Sequence, residues 1–170
     1  MVICGIYHGP TPTKLAHAAF DVVLISSLPC IGGAWEVSQF VSGHVCSIYM
    51  DERGEFTVCS KTGMVKQYSG SVYWQATQCI QKILAHADLH NVLIRGVITE
   101  RNEFLAFGVY NIAAASWVMP FQRRLLCKKL GIPHVPVIVP VFDASTLCVF
   151  RFSQPLVFTH IQKPQQCIAK

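Results

Sequence analysis

The stretch that decides the fold runs from Trp35 to Gly63 and reads WEVSQFVSGHVCSIYMDERGEFTVCSKTG. It contains three runs rich in β-branched and aromatic residues, separated by turn signals at Ser42-Gly43 and at Asp51-Glu52-Arg53-Gly54. From Cys46 to Met50 every second residue is apolar, which is the period of a strand with one buried face. The stretch therefore predicts a three-stranded antiparallel meander with one face in the core.

The same stretch resembles the ATP-dependent RNA ligases of the covalent nucleotidyltransferase superfamily. In that family the first strand and turn read roughly W-V-T-E-K-x-D-G, and the third strand reads F-x-V-C-S-R-N. This chain keeps Gly43 of the signature, but it has Phe40 in place of the nucleophilic lysine and Ser42 in place of the following aspartate. Lys61 matches the arginine of the third strand, which in the family contacts phosphate or an RNA end. Lys61 is therefore a nucleotide- or RNA-binding candidate.

Two further stretches extend the resemblance. The segment YSGSVYWQ is similar to the family's G-N-x-Y-W-x, and NVLIRGVITERNEFLAFGVYNI is similar to a family strand pair with the motifs G-E-L-I-G and F-D-I-Y-D-I. In the second stretch Val97 replaces a glutamate and Gly108 replaces an aspartate. Phe107 is kept at the place where the family stacks an aromatic ring on adenine. Phe107 and Arg95 are candidates for binding a nucleotide or RNA.

The C-terminal part carries a weaker likeness. ASTLCVFRF and LVFTHI resemble the family motifs E-G-x-V-F-R and F-K-V-I-S. On that alignment Thr146 replaces a glutamate, Thr159 replaces a lysine, and Arg151 is retained as a nucleotide- or RNA-binding candidate. The segment KKLGIPHVPVIVPVF resembles L-G-x-x-H-V-P-V-L, which makes His134 a structural residue of a connection rather than a catalyst.

The resemblance implies an α+β fold of two packed, mostly antiparallel sheets with flanking helices, a reduced form of the RNA/DNA ligase adenylation domain. Residues 1–34 are an N-terminal segment without a match, and residues 35–170 form the reduced domain. The residue pattern itself predicts a helix that begins near Ser71 and ends near His90. It predicts a second helix over 120–130, with a proline at its start and a glycine after its end.

Composition fits one domain. The 170 residues are 52% hydrophobic and 14% charged, which excludes a generally disordered chain. The net charge of +5 permits nucleic-acid binding without requiring it. The eight cysteines form no Cys-x-x-Cys pair, and no run reaches transmembrane length. We expect reduced thiols in the cytoplasm or nucleus, with disulfide bonds as the lesser alternative and with Cys46, Cys79 and Cys127 buried.

Four basic residues on the second predicted helix, Arg123, Arg124, Lys128 and Lys129, form a run that predicts a solvated helix face. An RNA-binding patch is the alternative interpretation of this run.

Two histidine arrangements also have functional alternatives. His86 and His90 have the i, i+4 spacing of a metal-binding pair on a helix, but no third ligand is evident, so we expect no metal site. His44 and Cys46 could form a nucleophilic pair, which we do not expect because Cys46 fits the core.

Ligation in the family begins when a lysine amine attacks the α-phosphate of ATP and forms lysyl-AMP. Phe40 has no lone pair for this step, and the resemblance implies that carboxylates and a lysine around the triphosphate are lost too. We therefore expect a pseudoenzyme without catalytic residues, metal or cofactor. It would bind RNA, a nucleotide or a protein partner, and no membrane. An active nucleotidyltransferase that uses ATP, magnesium and a displaced lysine such as Lys61 is one alternative; a structural or inhibitory protein-interaction module is the other.

Overall fold

The computed structural model describes most of the chain from residue 33 and two strands before it. The described residues are 3–7, 20–25, 33–51, 53–60, 63–65, 70–87, 89–143, 156–161 and 165–169. The strands in this part are β1 (Ile3–Tyr7), β2 (Phe20–Ile25), β3 (Ala34–Gln39), β4 (His44–Met50), β5 (Phe56–Ser60), β6 (Gly63–Met64), β7 (Val92–Ile98), β8 (Phe104–Asn111), β9 (Ser116–Trp117), β10 (Val137–Asp143), β11 (Leu156–His160) and β12 (Gln165–Ala169). The helices are α1 (Val72–His86) and α2 (Pro120–Leu130).

These strands form two six-stranded sheets. Sheet A has the order β1-β2-β12-β11-β3-β10, and sheet B has the order β6-β5-β4-β7-β8-β9. β12 runs parallel to β2, and the other pairs are antiparallel. The predicted α+β class with mostly antiparallel sheets is therefore confirmed. β1 and β2, from the segment without a family match, extend sheet A beside β12.

The predicted three-stranded meander is wrong for its first strand. β3 pairs with β10 and β11 in sheet A, whereas β4 pairs with β5 and β7 in sheet B. Residues 40–43, the crossing segment, carry the chain from one sheet to the other. The β4–β5 hairpin is as predicted. Alternation along a strand identifies the strand but not its neighbour, and a turn signal is equally suited to a crossing between sheets.

Helix α1 covers one face of sheet B. The core beneath it consists mainly of apolar side chains from α1 and four strands: Cys46, Ile48, Val58, Ile80, Leu84, Ile94, Ile98, Phe104 and Ala106. The expected burial of Cys46 and Cys127 is confirmed, but that of Cys79 is wrong, because Cys79 lies on the exposed side of α1. The four cysteines whose side chains are described are free thiols.

Helix α2 has the boundaries that its sequence predicts. Pro120 occupies the first turn, and Gly131 ends the helix in the left-handed conformation at φ 68°. Cys127 and Ile132 bring its C-terminal end into the core beneath α1. Neither α1 nor α2, the helices of the described part, is long and apolar enough to span a membrane.

Gly43 fixes the place where the crossing segment meets sheet B. A Cβ atom at this position would lie 2.2 Å from the carbonyl oxygen of Ile98 and 2.7 Å from Cγ2 of Val97. The backbone of β7 cannot yield easily because it is bonded to β4 and β8. Only glycine therefore allows this approach.

We predict that Gly43→Ala lowers the free energy of unfolding by about 1–3 kcal/mol, the usual cost of overpacking. Urea denaturation followed by circular dichroism measures it. Gly54→Asn is the control, because a Cβ at Gly54 meets no atom within 4 Å and asparagine tolerates its positive φ. Equal stability of Gly43→Ala and the wild type would contradict the packing described here.

Candidate functional site

Phe40 stands at the end of β3, as the first residue of the crossing segment. The strand end is held in place, because the Gln39 amide donates a hydrogen bond of 2.9 Å to the carbonyl of Pro136. Phe40 is 37% exposed, and Ser42 and Gly43 are exposed as well. An aromatic ring thus occupies the position at which the resemblance places the nucleophilic lysine.

Val97 lies beside the crossing segment, on β7. It is buried, it faces Val45 across the β4–β7 pair, and its Cγ2 methyl group lies where a side chain on Gly43 would have to begin. The resemblance places a glutamate at this position. In this chain the same place is filled by an apolar contact between two strands and the crossing segment.

Phe107 is the extra residue of a β-bulge in β8. Arg95 on β7 pairs with Gly108 and the next residue, Gly96, pairs with Ala106, so Phe107 has no partner in the β7–β8 register. Because Arg95 and Gly108 face away from α1, strand alternation places Phe107 and Gly108 together on that face. The Phe107 side chain is half-buried.

Helix α2 holds the bulge through Arg123. Nη1 of Arg123 donates a hydrogen bond of 2.6 Å to the carbonyl of Phe107, and Nη2 donates to the Glu36 carboxylate on β3. Nη1 of Arg124 donates to the other oxygen of the same carboxylate. Glu36, Arg123 and Arg124, hereafter the ion triad, therefore connect sheet A to sheet B through α2.

The interpretation of Arg123 and Arg124 as parts of a solvated basic face or an RNA patch is wrong. Arg123 is 3% exposed and Arg124 21% exposed, and both guanidinium groups are engaged by Glu36. Lys128 and Lys129, in the last turn of α2, are exposed. The sequence gives no signal of the triad, because Glu36 lies 87 residues before Arg123.

Arg95 lies inside sheet B. It is fully buried, its Nε donates a hydrogen bond of 3.0 Å to Oγ of Ser47, and its guanidinium carbon is 5.0 Å from the centre of the Trp117 ring. Ser47 is buried too, so β4 buries both faces there and the single buried face predicted for it is wrong. Arg95 therefore lies in the protein interior and is not on an exposed binding surface.

Three of the remaining candidates, Lys61, Thr146 and Arg151, lie outside the described residues. Thr159, at the place of a family lysine, is buried on β11 and pairs directly with Glu36 on β3. Cross-strand partners have their side chains on the same face, so this position adjoins the ion triad.

The histidine alternatives gain no support from the structure. Helix α1 ends at His86, so the prediction that His86 and His90 lie one turn apart on the same helix is wrong. His90 lies beyond the helix, and its Nδ1 donates a hydrogen bond of 2.8 Å to the carbonyl of Asp51. Among the described residues no group of three metal-binding side chains occurs.

The other two candidates are structural. Cys46 is fully buried, and burial raises the pKa of its thiol far above the usual value, so it cannot serve as a thiolate nucleophile with His44. His134 forms a bridge to Ala106 and its Nδ1 donates a hydrogen bond to the carbonyl of Val135, in agreement with its predicted structural role.

Comparison with known proteins identifies the family. A family model described as RNA ligase matches residues 34–149, more than half of the chain. The chain belongs to the RNA ligase family. The match includes β3, the crossing segment, the bulge and α2. No curated protein matches the sequence.

Solved structures of Naegleria gruberi RNA ligase share the fold. A mutant with ATP and manganese has a TM-score of 0.71 at 18% identity, over 96% of this chain and 57% of the ligase chain. A second mutant with ATP and manganese has a TM-score of 0.67 at 19% identity, over 81% of this chain and 50% of the ligase chain. The ligase with pyrophosphate has a TM-score of 0.66 at 20% identity, over 81% of this chain and 49% of the ligase chain. The chain thus spans about half the length of these ligases.

We predict that Glu36→Gln lowers the free energy of unfolding by about 3–5 kcal/mol, because it leaves the buried Arg123 and its neighbour Arg124 without a counter-charge. Urea denaturation measures the loss. Glu103→Gln is the matched control, since Glu103 is exposed. A loss below about 1 kcal/mol, the range of a surface ion pair, would show that the triad is not a buried linkage.

Proposed function

We propose that this RNA ligase family member binds an adenine nucleotide, either free or at an RNA end, and does not transfer AMP. The observation that carries the proposal is Phe40 at the end of β3. A benzyl side chain offers no electron pair to the α-phosphate, so the first covalent step of the family's reaction has no nucleophile at this position. The lysines that the structure describes, Lys82, Lys128 and Lys129, are on the helices.

The surroundings of Phe40 support the absence of catalysis. Val97 supplies a methyl contact where the family has a glutamate, and a buried valine cannot bind a divalent ion or offset phosphate charge. Removal of a metal ligand in addition to the nucleophile would raise the barrier further, by a few kcal/mol for each electrostatic group.

The bulge at Phe107 supports the proposal that the chain binds a nucleotide. Phe107 is half-buried and lies where the resemblance places the aromatic ring that stacks on adenine. A stacking ring needs neither a metal nor a nucleophile, so it can bind a base after catalysis is lost. The Naegleria gruberi RNA ligase, which shares the fold, has been solved with ATP and with AMP.

We predict that the protein forms no covalent adenylate. Incubation with ATP labelled at the α-phosphate, with magnesium or manganese, followed by denaturing electrophoresis, should leave the protein band unlabelled. An active RNA ligase treated in parallel controls for the assay. A labelled band would contradict the proposal and favour a displaced lysine, which peptide mapping would locate.

We predict that ATP and a 5′-phosphorylated RNA end bind without reaction, and that Phe107→Leu weakens binding about tenfold, as expected from a stacking contribution of about 1–3 kcal/mol. Calorimetric titration across a salt series measures both ligands. Phe121→Leu is the matched control, because Phe121 lies 60% exposed on α2. If neither ATP nor the RNA end binds at any salt concentration, the proposal is overturned and a protein-interaction module is favoured.

A further inference from the structure

The bulge at Phe107 depends on contacts from outside its own sheet. The Phe107 carbonyl accepts the hydrogen bond from Arg123. The adjacent Ala106 is bonded on both sides to the segment after α2, with its amide 2.8 Å from the Pro133 carbonyl and its carbonyl 3.0 Å from the Val135 amide. Helix α2 and the residues that follow it therefore fix the backbone of the bulge through hydrogen bonds.

Arg123 makes its two hydrogen bonds through Nη1 and Nη2, the two terminal nitrogens of its guanidinium group. The guanidinium is planar, so the bond from Nη2 to Glu36 fixes where Nη1 meets the Phe107 carbonyl. Burial of Arg123 excludes water from competing with either bond. The peptide plane of Phe107 is therefore oriented by a carboxylate on the other sheet, four residues before Phe40.

We propose that Arg123 is a positioning residue for nucleotide binding: by fixing the Phe107 peptide against Glu36, it sets the Phe107 ring in the orientation that receives the adenine base. The inference rests on the proposed function for its ligand. The side-chain direction of a bulged residue follows the orientation of its peptide, which is how bulges aim side chains at binding sites. Loss of the hydrogen bond would thus alter the ring without removing it.

Arg124 provides a matched comparison. It binds the other oxygen of the same carboxylate, and its guanidinium lies 5.9 Å from the Phe121 ring rather than at the bulge. Arg123→Lys and Arg124→Lys both keep the charge beside Glu36, so both variants should fold. Only the first loses the fork that reaches Glu36 and Phe107 together, because an ammonium group is a single point donor.

We expect Arg123→Lys to weaken ATP binding about tenfold and Arg124→Lys to change it less than twofold, by calorimetric titration. In a Phe107→Leu background, Arg123→Lys should have no further effect, because the ring that it positions is gone. Equal effects of the two lysine variants, or an additive loss in the Phe107→Leu background, would overturn the inference and leave Arg123 with a structural role alone.

A second readout requires no ligand. Fluorine NMR of the protein with 4-fluorophenylalanine at position 107 should show a shifted ring signal in Arg123→Lys and in Arg123→Gln, and an unchanged signal in Arg124→Lys. An unchanged signal in both Arg123 variants would overturn the positioning role. Failure of ATP and RNA to bind the wild type, together with a shifted signal, would instead reject the proposed function and confirm that Arg123 orients the ring.

Discussion

A carboxylate held between two arginines is the constraint on which the rest of the structure depends. Glu36 is fully buried on β3, and a buried charge is tolerated only with hydrogen-bonded partners. Both partners, Arg123 and Arg124, come from α2, so the helix must lie where it reaches sheet A, while its C-terminal end packs into the core of sheet B. Removal of one member of such a group leaves an uncompensated buried charge and is costly, whereas apolar replacement of a whole buried ion pair is often neutral or stabilising.

The same linkage defines the site. β3 leads from Glu36 to Phe40, and Arg123 extends from Glu36 to the bulge at Phe107, so both parts of the candidate site are anchored to one carboxylate. Phe40 and Val97 stand where the resemblance places a lysine and a glutamate, and the apolar side chain of the buried Val97 avoids the cost of a charge buried without a ligand. Under the proposed function, the chain would retain an aromatic binding position without the chemistry of the family.

Local sequence patterns predicted individual helices and strands. They did not predict strand neighbours or the burial of charged side chains, because these depend on long-range contacts. The proline and glycine at the ends of α2 identified that helix, and alternation identified β4, because both signals arise within a few residues. The assignment of β3 to the other sheet, the burial of Arg95 beneath Trp117 and the pairing of Arg123 with Glu36 depend on residues far apart in sequence. A run of basic residues predicts solvent exposure only when no buried carboxylate lies opposite it.

The bulge could be inferred only in part. The resemblance predicted Phe107 as a stacking residue, but the bulge in β8 is visible only in the strand register, and the hydrogen bond to α2 only in the structure. The most direct measurement is a crystal structure of the protein grown with ATP and manganese. We expect adenine stacked on the Phe107 ring, with the Arg123 hydrogen bond intact and the triphosphate unbroken beside Phe40. AMP joined to a lysine, or ATP bound away from Phe107, would contradict this.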